Sequence, residues 1–412
     1  MQAEILSIGT ELLLGDIVNT NAQYLSKKLA ESGIYVYYQA VVGDNPQRIK
    51  ETFENAFKRS DMIITTGGLG PTKDDLTKEM AAEYFGKKMV FHEEEWQKIT
   101  ALFQKQNWTM SEGNKKQAFF PEGAIILNNS RGTAPGCIIR EKGKIAVLLP
   151  GPPKEMTHMF EKEVMPYLAQ FQEGIIHSKV LRICGLGEST MAERIEDIID
   201  AQTNPTVAPY AKEMEVTLRI TAKGRNLEEV NNLIAPVEKK IRERLGENIY
   251  GEGETSLEEV VGEALVNKGL TISVAESCTG GIITARLVNY PGISSVLKEG
   301  AVTYSNGAKV RYLGVREDTL EKFGAVSAET AGEMAAGIAS VSNTHIGLST
   351  TGIAGPGGGT PEKPVGLVYT GLHLNGETKI KKIQCAGDRN KIRNRTAVIA
   401  LDWLRREINR IH

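Results

Sequence analysis

Thr271-Ile272-Ser273-Val274-Ala275-Glu276-Ser277-Cys278-Thr279-Gly280-Gly281-Ile282 reads as a buried strand, a glycine turn and the opening of a helix that runs to about Val288. The first five residues carry the short apolar run of a covered strand, and the two glycines end it. The same grammar recurs near the front of the chain. Met62-Ile63-Ile64-Thr65 is a strand stopped by Gly67-Gly68-Leu69-Gly70-Pro71 before a helix over Asp74 to Phe85. Ile5 to Ile8 and Ile34 to Val42 read as further strands, with helices over Asn19 to Glu31 and from Pro46 between and after them. Repeated strand–helix units imply a mostly parallel sheet covered by helices.

The pattern changes from about Phe171. Lys179 to Ile183 and Glu215 to Ala222 read as strands, and Ser189 to Asp200 and Leu227 to Leu245 as helices. Gly251-Glu252-Gly253-Glu254-Thr255-Ser256 reads as a linker that ends in a helix cap. Strands near Gly300 to Tyr304, His345 to Thr350 and Val365 to Leu372, and a helix over Ile392 to Ile411, then resume the α/β character. The expectation is an α/β protein in which two α/β sheet domains, over 1–170 and 253–412, are joined by a small α+β domain over 171–252. A chain of 412 residues is long enough for two or three cores.

Composition narrows the function classes. A net charge of −2 with no basic stripe gives no signal for nucleic-acid binding. The start lacks the basic and apolar pattern of a signal peptide, and no apolar run approaches the roughly 20 residues of a membrane span. Cys137, Cys184, Cys278 and Cys385 show no metal-ligand or paired spacing, so reduced thiols in a cytoplasmic protein are expected.

A hydroxyl on the turn after Ala275 would lie at the edge of a sheet beside free helix amides, which can hold an oxyanion or a phosphate. Ser277 or Thr279 could equally serve only as a helix cap. Two more segments add to the chemistry. Val302-Thr303-Tyr304-Ser305-Asn306-Gly307-Ala308-Lys309 places a lysine after a hydroxyl-rich turn, and Thr350-Thr351-Gly352-Ile353-Ala354-Gly355-Pro356 forms a loop lined by amides. A serine needs a base, and a lysine serves as one when desolvation lowers its pKa. Lys309 is the best-placed candidate, because no histidine lies in these segments.

Together with Lys363-Pro364-Val365-Gly366, these segments resemble the CinA C-terminal, or PncC, family, which hydrolyses the amide of nicotinamide mononucleotide to nicotinate mononucleotide and ammonia. The resemblance implies Ser277 as nucleophile, Lys309 as base and Tyr304 as a supporting hydroxyl. It also implies Glu276, Thr279, Gly280, Gly281, Thr303, Gly352, Gly355 and Arg389 as substrate-binding residues, with the amides near Thr279 and Gly280 as oxyanion donors. No cofactor is expected for this domain. Cys278 is an immediate rival nucleophile, since a thiolate attacks more readily than a hydroxyl.

At the front, Gly67, Gly68 and Gly70 would let backbone amides approach a phosphate, and Asp74 and Asp75 are hard oxygen donors suited to a divalent metal. Asp44 and Glu155 follow other strands and could converge on the same sheet edge; as single residues, each acid also suits a helix N-terminus. With Gly9-Thr10-Glu11-Leu12-Leu13-Leu14-Gly15-Asp16 and Asn19-Thr20-Asn21, this set resembles the molybdopterin-binding-like domain that opens CinA proteins. The resemblance implies metal-dependent (Mg, Co or Mn) cleavage of ADP-ribose, with Asp44 and Asp75 as the main metal or phosphate ligands. The partners expected are small nucleotides and a second copy of the chain in a homodimer. A non-catalytic nucleotide sensor, a competence-associated binding protein and a pterin-cofactor binder are the alternatives.

Overall fold

The computed structural model describes residues 1–171, 174–212 and 214–411. The chain divides into two compact units, one of 1–177 with 222–232 and one of 178–221 with 233–411. Each is described by itself.

The first unit is built on a six-stranded sheet. Its strands are β1 (Gln2–Ile8), β2 (Tyr35–Val42), β3 (Met62–Thr66), β6 (Ile125–Leu127), β7 (Gly136–Glu141) and β8 (Lys144–Leu149). A separate hairpin pairs β4 (Met89–Phe91) with β5 (Phe119–Pro121). The sheet order is β2-β1-β3-β8-β7-β6. The first four strands are parallel, whereas β7 and β6 add antiparallel at one edge. Both faces are covered. Along β1, Ala3 and Ile5 join one core with Leu25, Met62 and Phe160, while Leu6 and Ile8 join another with Phe53, Ile63 and Phe120. That alternation is the period-two side-chain pattern of a strand buried on both sides. The helix expected to begin at Asp74 begins at Thr77. Asp74 and Asp75 are therefore loop residues.

Largely within the second unit, β9 (Ile175–Ile183), β10 (Thr206–Ala211), β11 (Val216–Gly224) and β12 (Ile249–Glu252) form a sheet in the order β10-β11-β9-β12. Ser256 then caps the helix Leu257–Lys268, and Glu259 reaches back to the Ser256 amide. Such a reciprocal cap contributes about 1 kcal/mol. The last sheet contains β13 (Ile272–Glu276), β14 (Leu297–Val302), β15 (Ile346–Gly352), β16 (Leu367–Leu374) and β17 (Glu377–Gln384), in the order β14-β13-β15-β16-β17. β14, β13 and β15 are parallel, and β16 and β17 return antiparallel. The molecule is thus mixed α/β, with a small α+β sheet between two α/β sheets in chain order.

β17 went unread in the sequence because only Ile383 along it is buried, so Glu-Thr-Lys-Ile-Lys-Lys has no strand-like apolar face. The helices Asn306–Leu313 and Ala328–Val341 were also unread; they cover one face of the last sheet. Among the described residues, no helix is long and apolar enough to cross a membrane. All four cysteines are free and buried.

Candidate active site

The alternation of β13 carries over its end, so that its last residue and the one after it point to opposite faces of the sheet. Ile272 and Val274 pack in the core with Ile283 and Leu287, whereas Ala275 packs with Leu313, Met334 and Ile338. Glu276 therefore belongs with the first face and Ser277 with the second.

Glu276 is fully buried. Its carboxylate accepts hydrogen bonds from the amides of Gly281 (3.0 Å), Ile283 (3.1 Å) and Thr284 (2.9 Å), and from the Thr284 hydroxyl (2.8 Å). These are the amides that the helix Ile282–Val288 leaves without internal acceptors. The expectation that Glu276 binds substrate is corrected. Every direction in which it could bind is taken by the helix it caps, and it braces the turn. Glu276→Ala should lower unfolding stability by about 2–3 kcal/mol in urea titrations, because buried donors lose their acceptor, with a smaller loss for Glu276→Gln.

On the other face, the Lys309 ammonium nitrogen lies 3.2 Å from Ser277 Oγ. Lys309 sits in the first turns of the helix Asn306–Leu313, which Ser305 caps through the Ala308 amide. Its side chain is 1% exposed. Nζ also donates to the Thr303 carbonyl (2.9 Å) and the Tyr304 carbonyl (3.2 Å). In its neutral form, two protons serve the carbonyls and the lone pair faces the serine hydroxyl. Burial holds the Lys309 pKa below the ordinary lysine value.

Cys278 is buried, and desolvation pushes its thiol up to about 12. At neutral pH it is a thiol and a poor nucleophile. Iodoacetamide should therefore modify Cys278 slowly at pH 7.

The remaining candidates separate into supports and mouth. Thr279 is fully buried and its hydroxyl shares a hydrogen bond with the Thr350 hydroxyl (2.7 Å), so its side chain knits the turn to β15. Gly281 has φ +93, a conformation that side-chain-bearing residues rarely adopt. Gly352 lies hard against β16, where an added Cβ would fall 2.6 Å from Val368 Cγ2. Thr303 is buried, its hydroxyl has no partner among the described residues, and its carbonyl holds Lys309. Tyr304 is 62% exposed, and its hydroxyl accepts from Arg389 (3.2 Å), whose other arm donates to the Gly355 carbonyl (2.7 Å). Tyr304 thus contributes its backbone carbonyl to the amine, while its ring and Arg389 stand at the surface. The Ser277 amide donates to the Thr350 carbonyl and the Gly280 amide to the Ser277 carbonyl, which removes Gly280 from the expected oxyanion donors. Among the described residues, the amides of Cys278 and Thr279 have no carbonyl acceptor. Arg393 was missed in the sequence. It donates to the Cys278 carbonyl (3.2 Å) and the Thr279 carbonyl (2.9 Å) from the final helix, more than a hundred residues away, a contact no local pattern signals.

In the first unit, Asp44, Asp74, Asp75 and Glu155 line one cleft of about 400 Å³ with Gly67, Gly68 and Gly70. Gly67 sits so close to β1 that a Cβ would fall 2.0 Å from the Ile8 carbonyl oxygen. Asp44 accepts from the Thr10 amide and hydroxyl, both at 2.9 Å. Asp75 accepts from the Thr72 amide (2.9 Å) and hydroxyl, and Glu155 from Asn129 (2.6 Å). A hydrogen bond from Thr72 holds Asp74 below the usual carboxylate range. Among the described residues, no three acidic, histidine or cysteine side chains stand close enough to hold a metal ion by themselves.

Family models match all three sections. The CinA C-terminal domain matches 254–408, the probable molybdopterin binding domain 4–170, and the damage-inducible protein CinA KH domain 178–251. A putative competence-damage inducible protein from Clostridium acetobutylicum is 61% identical over 99% of this chain and 99% of its own. The chain belongs to the CinA family. A CinA-like protein from Kosmotoga olearia is 62% identical over 99% of both chains. Among solved structures, the competence/damage inducible protein CihA from Agrobacterium tumefaciens is 40% identical, covering 38% of this chain and 98% of that one, with a TM-score of 0.36. The middle sheet is thus the KH section of the CinA architecture.

Proposed function

We propose that the second unit is an amidohydrolase that converts nicotinamide mononucleotide to nicotinate mononucleotide and ammonia. The observation that carries this reading is the buried Lys309 amine 3.2 Å from the Ser277 hydroxyl. Lys309, neutral, takes the Ser277 proton as Oγ attacks the carboxamide carbon. The oxyanion gathers against the amides of Cys278 and Thr279, where one donor typically lowers a barrier by about 3 kcal/mol. Lys309 then passes its proton to the departing nitrogen, ammonia leaves, and water activated by the same amine releases the acid. Arg389, exposed beside Tyr304, offers a cation to the substrate phosphate. The test is ammonia release from nicotinamide mononucleotide by the purified full chain. Binding without turnover would make the protein a nucleotide sensor instead.

The cleft of the first unit fits metal-dependent cleavage of ADP-ribose. Acids line it, so a bare diphosphate would be repelled. Asp44 and Asp75 each use one carboxylate oxygen on a neighbouring threonine, and among the described residues the other oxygen is left without a hydrogen bond. One or two carboxylates completed by substrate phosphates is the usual setting for magnesium. A bound divalent ion would neutralise the diphosphate and polarise its phosphorus. The chain's own part is to orient it with Asp44 and Asp75 and to admit the phosphates along the glycine turn. AMP release from ADP-ribose with magnesium, cobalt or manganese should fall about 10–100-fold in Asp44→Ala and in Asp75→Ala. Unchanged turnover in both would remove those residues from the site. The molybdopterin-binding description of the matching family model favours a second reading, a pterin ligand in the same cleft. Tight pterin binding without ADP-ribose turnover would select it.

A further inference from the structure

We propose that a cavity of the second unit, set against the two helices that brace the oxyanion turn, is an effector site for a small carboxylate carried on an apolar body. The binding site stands apart from both proposed reactions; its effect rests on the amidohydrolase reading, the activity it modulates.

The cavity has a volume of about 380 Å³, within the range of small-molecule sites. β9 brings Arg182 to its wall, β12 brings Tyr250, the helix Ile282–Val288 brings Arg286 and the final helix brings Asn394. Leu257, Met214 and Val398 supply an apolar side. The polar groups left over for a ligand are donors. Glu215, the acid on this wall among the described residues, has both oxygens occupied, one by Arg182 (2.6 Å) and the other by the Tyr250 hydroxyl. Arg286 carries five N–H groups. One terminal nitrogen donates to Glu258 (2.8 Å), and among the described residues its other nitrogens have no acceptor. Lys212 adds a third cation to the wall.

Set against Glu215 and Glu258, the three cations Arg182, Lys212 and Arg286 leave one positive charge in excess among the described residues. Glu254 reaches Arg182 only at 3.5 Å and is 82% exposed, so water screens it. A single surplus charge beside apolar side chains selects a monoanion with an apolar body, and the planar guanidinium fork matches a carboxylate. A dianionic phosphate would keep uncompensated charge in a space partly closed from water. The cavity also touches the supports of the catalytic turn. Arg286 lies on the helix whose first amides Glu276 holds, and Asn394 directly follows Arg393, which holds the carbonyls of Cys278 and Thr279. A carboxylate on Arg286 competes with Glu258 for that helix, and a ligand that favours one position of the helix biases the turn ahead of it.

The test uses the full chain and calorimetric titration with benzoate, benzyl alcohol, acetate and phenyl phosphate. Benzoate should bind at least about tenfold more tightly than each of the others, which lack the charge, the apolar body or the single negative charge. The double variant Arg286→Gln/Glu258→Gln removes the cation together with its partner, so no acid is left unpaired. It should bind benzoate about tenfold more weakly. Lys212→Gln, at an exposed position, should weaken benzoate by a smaller factor. Saturating benzoate should change kcat for ammonia release from nicotinamide mononucleotide by about fivefold or more, with KM little altered and no response in the double variant. Equal binding of benzoate and benzyl alcohol, tighter binding of phenyl phosphate, or unchanged benzoate affinity in both variants overturns the site. An effect confined to KM places benzoate at Ser277 and overturns the proposal, and an unchanged kcat overturns the effector role. If the parent releases no ammonia, the amidohydrolase reading falls and the titrations still decide the cavity.

Discussion

Ser277→Ala protein, folded and as stable as its parent, is expected to release ammonia from nicotinamide mononucleotide about 10⁴-fold more slowly or worse, as when the nucleophile of an acyl-transfer enzyme is removed. The loss should fall on kcat with little change in substrate affinity, because the hydroxyl contributes to the reaction and not to holding the substrate. The side chain is small and lies on a turn whose position is set elsewhere. Glu276 secures the helix beyond it, Arg393 holds the carbonyls of Cys278 and Thr279, and the Ser277 amide is tied to Thr350. Loss of one hydroxyl therefore leaves the scaffold in place. A parallel Cys278→Ala variant separates the two nucleophiles. A folded Ser277→Ala protein that still turns over, with Cys278→Ala inactive, would transfer the chemistry to the thiol.

Lys309→Met should cost on the order of 10²–10⁴-fold in kcat/KM, the usual contribution of a positioned general base. Lys309→Arg should not rescue it, since a guanidinium keeps its proton at every accessible pH. The pH profile gives a sharper signature. The amine acts only when neutral, and burial holds its pKa below the ordinary lysine value. Activity should therefore fall as pH drops through that lowered pKa and rise as pH climbs, and the limb should vanish in the methionine variant. Linkage adds a stability readout with the same sign. The unfolded chain holds the Lys309 proton more firmly than the folded one, so the parent gains stability relative to Lys309→Met as pH rises from the folded pKa toward that of free lysine. An unchanged pH profile in Lys309→Met would assign the base elsewhere.

The acids of the first unit teach a smaller lesson about boundaries. A helix drawn from Asp74 makes that aspartate and Asp75 ordinary N-terminal residues. The observed start at Thr77 places both on the loop that lines the cleft. The Thr77 hydroxyl bonds the Gly67 carbonyl (2.9 Å), and the Thr77 amide bonds Gly68. The glycine turn thus sets where the helix begins, a contact beyond the reach of helical periodicity.

Sequence alone determined most of the architecture, because most of it is a matter of local pattern; β17, without an apolar face, is the exception in the last sheet. Short apolar runs ended by glycine, followed by amphipathic stretches, specify strand–turn–helix units wherever they occur, and they do so at Met62 and at Thr271 alike. The motifs at Ser277, Lys309, Asp44 and Asp75 could be singled out for the same reason: each follows a strand and therefore lies at a sheet edge. Tertiary structure decided what those residues touch. Neighbours at the end of β13 part to opposite faces, so Glu276 is consumed by a helix end while Ser277, just beyond the strand, meets a lysine 32 positions away. Burial then lowers the pKa of that lysine and raises that of the adjacent cysteine, giving one a base's character and denying the other a nucleophile's. Both outcomes depend on which surfaces exclude water, a property of the packed molecule that no segment carries on its own.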